Sequence, residues 1–338
     1  MTLEEQVYQL FLVTPEALTM GDTVTRAAGI TQAALADRPV GGIVYFARNL
    51  ISREQTAEML QNSQSYSKIP LFLAVDEEGG RVSRLGSNPS MGVTAFPPMA
   101  SYSDPEEVYE VGATLGRELR ELGFNLNFAP VADVATNPEN TEIGDRAFSS
   151  DPGTAAELVA SAVRGMEDNG LLSTLKHFPG HGGTTADTHD GLAVTQRTLA
   201  EMEAAEFLPF RAGIEAGAPV VMVGHLSVPQ LQGDHTPADL SRTVVTDILR
   251  GELGFDGLIV TDAQDMGAIT QMYTSAGAAV AALEAGVDMI LMPADLTEAV
   301  EGVLAAVTSG RLTESRITES VTRILALKYE YGLVPAEE

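Results

Sequence analysis

Glu252-Leu253-Gly254-Phe255-Asp256-Gly257-Leu258-Ile259-Val260-Thr261-Asp262 is the stretch whose reading decides the fold. A helix-like segment ends in Gly, a short apolar run follows at once, and the run finishes on a carboxylate. The junction recurs. Glu121-Leu122-Gly123-Phe124 leads into Asn125-Leu126-Asn127-Phe128-Ala129, Glu215-Ala216-Gly217 into Val220 to Val223, Glu284-Ala285-Gly286 into Val287 to Met292, and Asn169-Gly170 into Leu171 to Leu175. Glycine adopts the left-handed conformation that closes a helix, so each of these glycines marks a C-terminus.

The N-termini are marked as well. Asp104-Pro105 and Asp151-Pro152 place a capping carboxylate before a first-turn proline, and Thr198-Leu199-Ala200-Glu201 has the form of a capping box. Between such marks Val108, Val111, Leu115, Leu119 and Leu122 recur at intervals of three and four, which is one face of a helix. The strand-like runs are apolar without alternation, as in parallel strands buried on both faces. Eight are expected, at 10–13, 41–46, 70–75, 124–131, 171–177, 219–225, 257–262 and 286–292. Eight α/β repeats with no composition break predict a single (β/α)8 TIM barrel, of class α/β, over 1–338. A doubly wound sheet is the competing reading, but no Gly-x-Gly-x-x-Gly follows the first strand. No linker, low-complexity stretch or second domain is expected within the chain.

Composition narrows the partners. Forty-seven Asp and Glu against 20 Lys and Arg give a net charge of -27. That argues against nucleic acid, which a basic surface must neutralise, and against an anionic membrane. With no cysteine there can be no disulfide, zinc–thiolate site or thiol nucleophile. Met1-Thr2-Leu3-Glu4-Glu5 lacks the basic and apolar regions of a signal peptide, so the expected location is cytoplasmic, or secreted or at the cell envelope if a leader was removed. A monomer acting on a small molecule is expected.

Polar residues collect just after the strands. Asp76-Glu77-Glu78-Gly79-Gly80-Arg81-Val82-Ser83-Arg84 follows the third, Asp133 and then Glu142-Ile143-Gly144-Asp145-Arg146 the fourth, Lys176-His177 the fifth, Gly224-His225 the sixth and Thr261-Asp262 the seventh. In a barrel these ends converge on one rim, where active sites are built. Taken alone, Asp262 reads as a cap for a helix near Gly267-Ala268-Ile269, and Arg84 and Arg146 as salt-bridge partners of Asp76 or Asp145. Together on one rim they read as a site: a carboxylate among cations stays ionised, as a nucleophile must, and an arginine forks hydrogen bonds to hydroxyls or carboxylates.

The segment from Lys176 to Asp190 holds three of the five histidines, His177, His181 and His189, in a loop rich in glycine. One reading is a metal site built from these with Asp187. The His-x-His expected on an early strand of metal-dependent barrel hydrolases is absent, and the rim acids alternate with Arg and Lys, so neither metal nor cofactor is expected. The other reading is acid–base chemistry, with Asp187 fixing the tautomer of His189 and favouring its charged form. Asp262 and His189 are then the parts of a double displacement at an acetal carbon. The absence of Trp argues for a small polar pocket over a long polysaccharide cleft.

These residues resemble glycoside hydrolase family 3, in its β-N-acetylglucosaminidase (β-N-acetylhexosaminidase) branch. The likeness rests on Gly41-Gly42-Ile43-Val44-Tyr45-Phe46, Ala74-Val75-Asp76-Glu77-Glu78-Gly79-Gly80-Arg81-Val82, Lys176-His177-Phe178-Pro179-Gly180-His181-Gly182 followed by Asp-x-His, and Val260-Thr261-Asp262, and it spans nearly the whole chain. The resemblance implies that Asp262 is the nucleophile and the Asp187–His189 dyad the acid/base, with Thr188 where the family usually has Ser. It implies that Asp76, Arg84, Arg146, Lys176 and His177 bind a terminal N-acetylglucosamine and that His225 and Met292 line the same rim. The implied activity is retaining, exo-acting release of β-linked N-acetylglucosamine from muropeptides of cell-wall turnover or from chito-oligosaccharides. Three alternatives stand beside it: phosphorolysis of the same bond, a metal-dependent barrel hydrolase and a sugar-binding barrel without turnover. Many relatives carry a second domain, which would begin near Tyr331-Gly332-Leu333-Val334-Pro335.

Overall fold

A computed structural model of the chain describes residues 1–184 and 191–334. Eight strands form the barrel: β1 Phe11–Val13, β2 Gly42–Tyr45, β3 Phe72–Val75, β4 Leu126–Asn127, β5 Thr174–Phe178, β6 Val220–Val223, β7 Leu258–Thr261 and β8 Ile290–Leu291. Seven lie inside their expected runs, β5 extends one residue past its run of 171–177, and each is buried along its whole length. The ladders are parallel: Phe11 pairs with Ile290, Leu12 with Gly42, Ile43 with Leu73, Ala74 with Leu126, Leu175 with Val221 and Ile259 with Val221. Two shorter contacts close the ring. Asn127 N–H donates to Leu172 O (2.8 Å) between β4 and β5, and Thr261 N–H donates to Met289 O (3.1 Å) between β7 and β8. The (β/α)8 barrel is therefore present and closed, with β1 beside β8.

The ladders are shorter than the apolar runs. The run 124–131 pairs as a strand only at Leu126–Asn127, because the chain reaches Pro130, which has no N–H to give. Pairing resumes beyond it, where Ala132 N–H donates to Lys176 O (2.6 Å).

The helices form the outer layer. Pro105–Leu122 buries the expected stripe of Val108, Val111, Leu115, Leu119 and Leu122. It packs closely on Pro152–Glu167: a Cβ on Gly165 would lie 2.2 Å from Tyr109 O, so only glycine fits. The caps are those expected. Asp104 accepts from Glu106 N–H, Asp151 from Thr154 N–H, and Thr198 and Glu201 complete the capping box. Gly286 closes Ser275–Ala285 with φ 110°, left-handed as expected. No helix among the described residues is long and apolar enough to cross a membrane.

The end of the barrel opposite the carboxyl rim is sealed by charge as well as packing. Asp288, fully buried just before β8, receives Arg250, Arg323 at 3.2 Å and the Ser320 hydroxyl at 2.7 Å. The N-terminal helix Leu3–Gln9 closes the same end: Gln9 donates to Pro39 O at 2.7 Å and accepts from Lys328 Nζ at 2.9 Å. The other end is left to the site.

Candidate active site

A cavity of about 320 Å³ opens at the carboxyl ends of the strands, within the usual size of small-molecule sites. Residues on or just after seven of the eight strands reach it: Val44, Asp76, Phe128, Lys176 and His177, Met222, Asp262, and Leu291 with Met292.

One wall is a charge cluster centred on Glu78. A short hairpin, Glu77–Gly79 with Val82–Ser83, follows β3 and turns the chain so that Asp76, Glu78 and Arg84 all face the cavity. The turn is built on Glu77, which faces away. Its carboxylate accepts the N–H groups of Arg84 (2.7 Å), Leu85 (2.7 Å) and Gly86 (3.1 Å), and its own backbone is gripped on both sides by the amide of Asn127. Burial raises the Glu77 carboxyl above its ordinary range, against the pull of these donors.

Glu78, buried, takes Arg146 through two parallel hydrogen bonds of 2.9 Å and Lys176 Nζ at 2.6 Å. Burial works against its charge, but the two cations outweigh burial and hold the carboxyl far below the usual range. Lys176 also donates to Asp76 at 2.8 Å, and Arg84 lies 3.8 Å from the other Asp76 oxygen. Arg146 bonds Glu78 and Glu142; Asp145, a partner weighed on sequence grounds, lies nearer Arg81 at 3.8 Å. The salt-bridge reading of these arginines is thus partly right, yet both line the cavity, and Arg84 Nε has no hydrogen-bond partner among the described residues.

His177 continues this wall. Its Nδ1 lies 2.7 Å from Asp133 Oδ2, and the other Asp133 oxygen accepts the His181 N–H at 2.6 Å. Asp133, buried, therefore fixes the ring and leaves Nε2 toward the cavity. His181 packs edge-on to His177 at 6.0 Å and places Nδ1 2.9 Å from the Thr184 hydroxyl. No group of three or more His, Cys, Asp or Glu among the described residues is arranged to hold a metal ion.

Asp262 faces this cluster from the end of β7. It does not cap a helix: the next one, Gly267–Thr270, starts after Met266 and has no side-chain cap. One Asp262 oxygen accepts the Ala263 N–H at 2.8 Å. Burial would raise its carboxyl, but His177, His225, the Ala263 N–H and Lys176 together hold it below the ordinary range, so it is ionised at neutral pH.

Met292 lines the cavity in a left-handed conformation, φ 48°. His225 does not line it. It is fully buried behind Asp262, with Nε2 2.8 Å from Ala263 O and Nδ1 3.1 Å from Asp239. The expectation that it lines the rim is corrected to a place one layer behind. Asp187 and His189 lie outside the described residues.

Over residues 2–327 the chain matches the model of the glycosyl hydrolase family 3 N-terminal domain. The chain belongs to glycosyl hydrolase family 3. A beta-hexosaminidase A of Pseudoalteromonas piscicida is 36% identical over 317 residues, 86% of this chain and 53% of that protein. A beta-hexosaminidase of Xylella fastidiosa is 40% identical over 267 residues, 76% of this chain and 77% of that protein. Among solved structures, the family 3 β-N-acetylglucosaminidase of a Paenibacillus species superposes with a TM-score of 0.92 at 38% identity, covering 100% of this chain and 64% of that one. This family 3 barrel thus spans about half the length of the first relative and under two thirds of the solved enzyme.

Three anchors of the family 3 site have no role assigned by sequence reasoning: Glu78, Asp133 and Asp239. Glu78 and Asp133 follow strands and carry that weak signal. Asp239, in the turn after Pro237-Ala238, carries none.

Proposed function

We propose that this family 3 barrel is a retaining, exo-acting β-N-acetylglucosaminidase that works as a monomer on small glycosides, chito-oligosaccharides or muropeptides. The observation that carries the reading is the ionised Asp262 carboxylate facing, across one small cavity, the cluster of Asp76, Arg84, Glu78, Arg146, Lys176 and His177. The names of the relatives, beta-hexosaminidase and β-N-acetylglucosaminidase, support the same substrate.

The cluster offers donors from Lys176 and Arg84 and an acceptor at Asp76, with Lys176 already bonded to Asp76 and Arg84 within ion-pair distance of it, so a sugar hydroxyl enters a preformed network. Asp262 attacks the anomeric carbon as the bond to the aglycone oxygen breaks, and His189, backed by Asp187, gives that oxygen its proton. A glycosyl ester on Asp262 results. His189 then takes a proton from water, the hydroxide attacks the same carbon, and the ester bond breaks to return the Asp262 carboxylate. The His225 and Lys176 charges that help keep Asp262 ionised also favour its role as leaving group in the second step.

The test is turnover of 4-nitrophenyl N-acetyl-β-glucosaminide and of chitobiose, with and without phosphate. Wild type is expected to release N-acetylglucosamine in both buffers. Asp262→Asn is expected to lose at least about 10³-fold in kcat while melting as wild type does. Near-normal turnover by that variant removes Asp262 from the chemistry. A sugar 1-phosphate as product moves the reaction to phosphorolysis.

A further inference from the structure

His225 is flanked by two acceptors. The Ala263 carbonyl lies 2.8 Å from Nε2 and Asp239 Oδ1 lies 3.1 Å from Nδ1. A neutral imidazole has one N–H and no charge; the imidazolium donates to the carbonyl through Nε2 and sets its positive charge against the Asp239 carboxylate, a contact at Nδ1 without hydrogen-bond alignment. Asp239 has the same need from the other side. It is fully buried on the short helical turn Ala238–Leu240, and neither of its oxygens has a well-aligned hydrogen-bond partner among the described residues. His225 is the cation that compensates it. The Ala263 peptide that His225 holds by its carbonyl bonds the Asp262 carboxylate through its N–H at 2.8 Å.

We propose that Asp239 is a positioning residue for Asp262, acting through the His225 imidazolium to pin the residue after the nucleophile and to keep a positive charge behind its carboxylate. This rests on the reading of Asp262 as the nucleophile. The chain of contacts runs from carboxylate to imidazolium to peptide to carboxylate, and Asp239 itself touches neither sugar nor cavity. Burial works against the charge on His225, but Asp239 outweighs it and pushes the pKa up to about 9, with Asp262 and the Ala263 carbonyl adding to the shift. The other groups that favour the charge on Asp262 are His177, from β5, and Lys176 beside it; Asp265, from its own loop, is a second carboxylate that also feels His225 and whose charge opposes that of Asp262. Tyr273 lies within reach of the Asp239 charge. None of them sits between His225 and Ala263, so removing the Asp239 charge takes away a cation that the others do not replace at that place.

The readouts are the pH profile of kcat/KM on 2,4-dinitrophenyl N-acetyl-β-glucosaminide, whose leaving group needs no proton, and the 13Cε1 shifts of the five histidines. Wild type is expected to show one imidazolium that stays charged from pH 5 to beyond 8. Asp239→Asn is expected to let that ring titrate and to raise the acid limb of kcat/KM by roughly one pH unit, as loss of a nearby cation raises a carboxyl. It should also lower kcat by about 10- to 100-fold with little change in KM, because the attacking group and not the sugar is misplaced. Asp239→Glu keeps the charge and should restore the acid limb. A neutral His225 at pH 7 in wild type overturns the proposal without any variant having to fold. So does an Asp239→Asn enzyme with an unmoved acid limb. Failure of the nucleophile reading looks different: Asp262→Asn stays active while the His225 signal is as expected.

Discussion

Glu78 carries two cations at once. Arg146 and Lys176 reach it from different strand ends, and all three groups are buried, so each charge is tolerated only because of the others. Glu78→Gln keeps the shape and removes the charge, leaving two buried cations with Asp76 and Glu142 as their remaining partners. The expected cost is about 3–5 kcal/mol in urea unfolding, together with a raised KM as Arg146 and Lys176 move to new partners. A loss below about 1 kcal/mol, the range of exposed pairs, shows that the cluster is screened by water. The same residue marks what was legible at this scale. Asp76, Arg84, Arg146, Lys176 and Asp262 could be picked out because they follow strands, and Asp76, Lys176 and Asp262 also because the quoted family motifs contain them. Glu78 sits in the same motif, but a sequence does not say which of three consecutive acids faces the cavity; the hairpin decides that by turning Glu77 inward to its own backbone donors. His225 was misplaced for a related reason. Its position after β6 points to the rim, and only the return of the chain at Asp239 shows that the ring is held behind it, with Nε2 on the Ala263 carbonyl and Nδ1 beside the Asp239 carboxylate.

Whole elements were more legible than their ends. Helix termini carry local marks, so Gly286 and the Asp104, Asp151 and Thr198 caps could be read from a few residues each. Strand ends carry none, because burial continues past the last ladder bond, as in 124–131. The terminal helices raise a different matter, since their meeting depends on the closed barrel. Glu314–Glu330 sends Lys328 inward to Gln9 of Leu3–Gln9, with its ammonium 4.9 Å from the centre of the Phe72 ring. Burial pushes this amine down to about 7. Its folded pKa lies below the unfolded value of roughly 10.4. Between the two values the unfolded chain binds the proton and the folded chain does not. Stability from this group is therefore gained as pH rises through that window, and its penalty is complete below about 7. Lys328→Met removes the titration and keeps the bulk. The difference in Tm between variant and wild type is expected to be most favourable to the variant near pH 6 and to decline steadily toward pH 10. A difference that does not change with pH means that the amine is charged throughout.

At the scale of the molecule, closure is the property no single repeat contains. Eight units could be counted because each brings its own apolar run, several of them with a cap or closing glycine as well, but the pairing of Phe11 with Ile290 joins residues at opposite ends of the chain. That closure also concentrates the cations. Arg84, Arg146 and Lys176 meet at one cavity, while the chain as a whole carries a net charge of -27. The two fields act over different distances. A substrate still a Debye length away, about 30 Å in 0.01 M salt, meets the sum of all charges, which is negative; a seated substrate meets the cavity, where the cations are already paired with Asp76, Glu78 and Glu142. An N-acetylglucosaminide with a carboxylate in its aglycone is therefore slowed on approach, whereas a neutral one is not. Its kcat/KM is expected to rise several-fold between about 0.01 and 0.3 M salt, as the Debye length shrinks from about 30 Å to below 8 Å, with the neutral substrate nearly flat over the same range. Measuring both substrates in one salt series separates this from any effect of salt on the enzyme itself. If kcat/KM for the anionic substrate falls instead, the cavity cations reach past the acidic surface and steer the ligand, and the long-range field is set by the rim and not by the net charge.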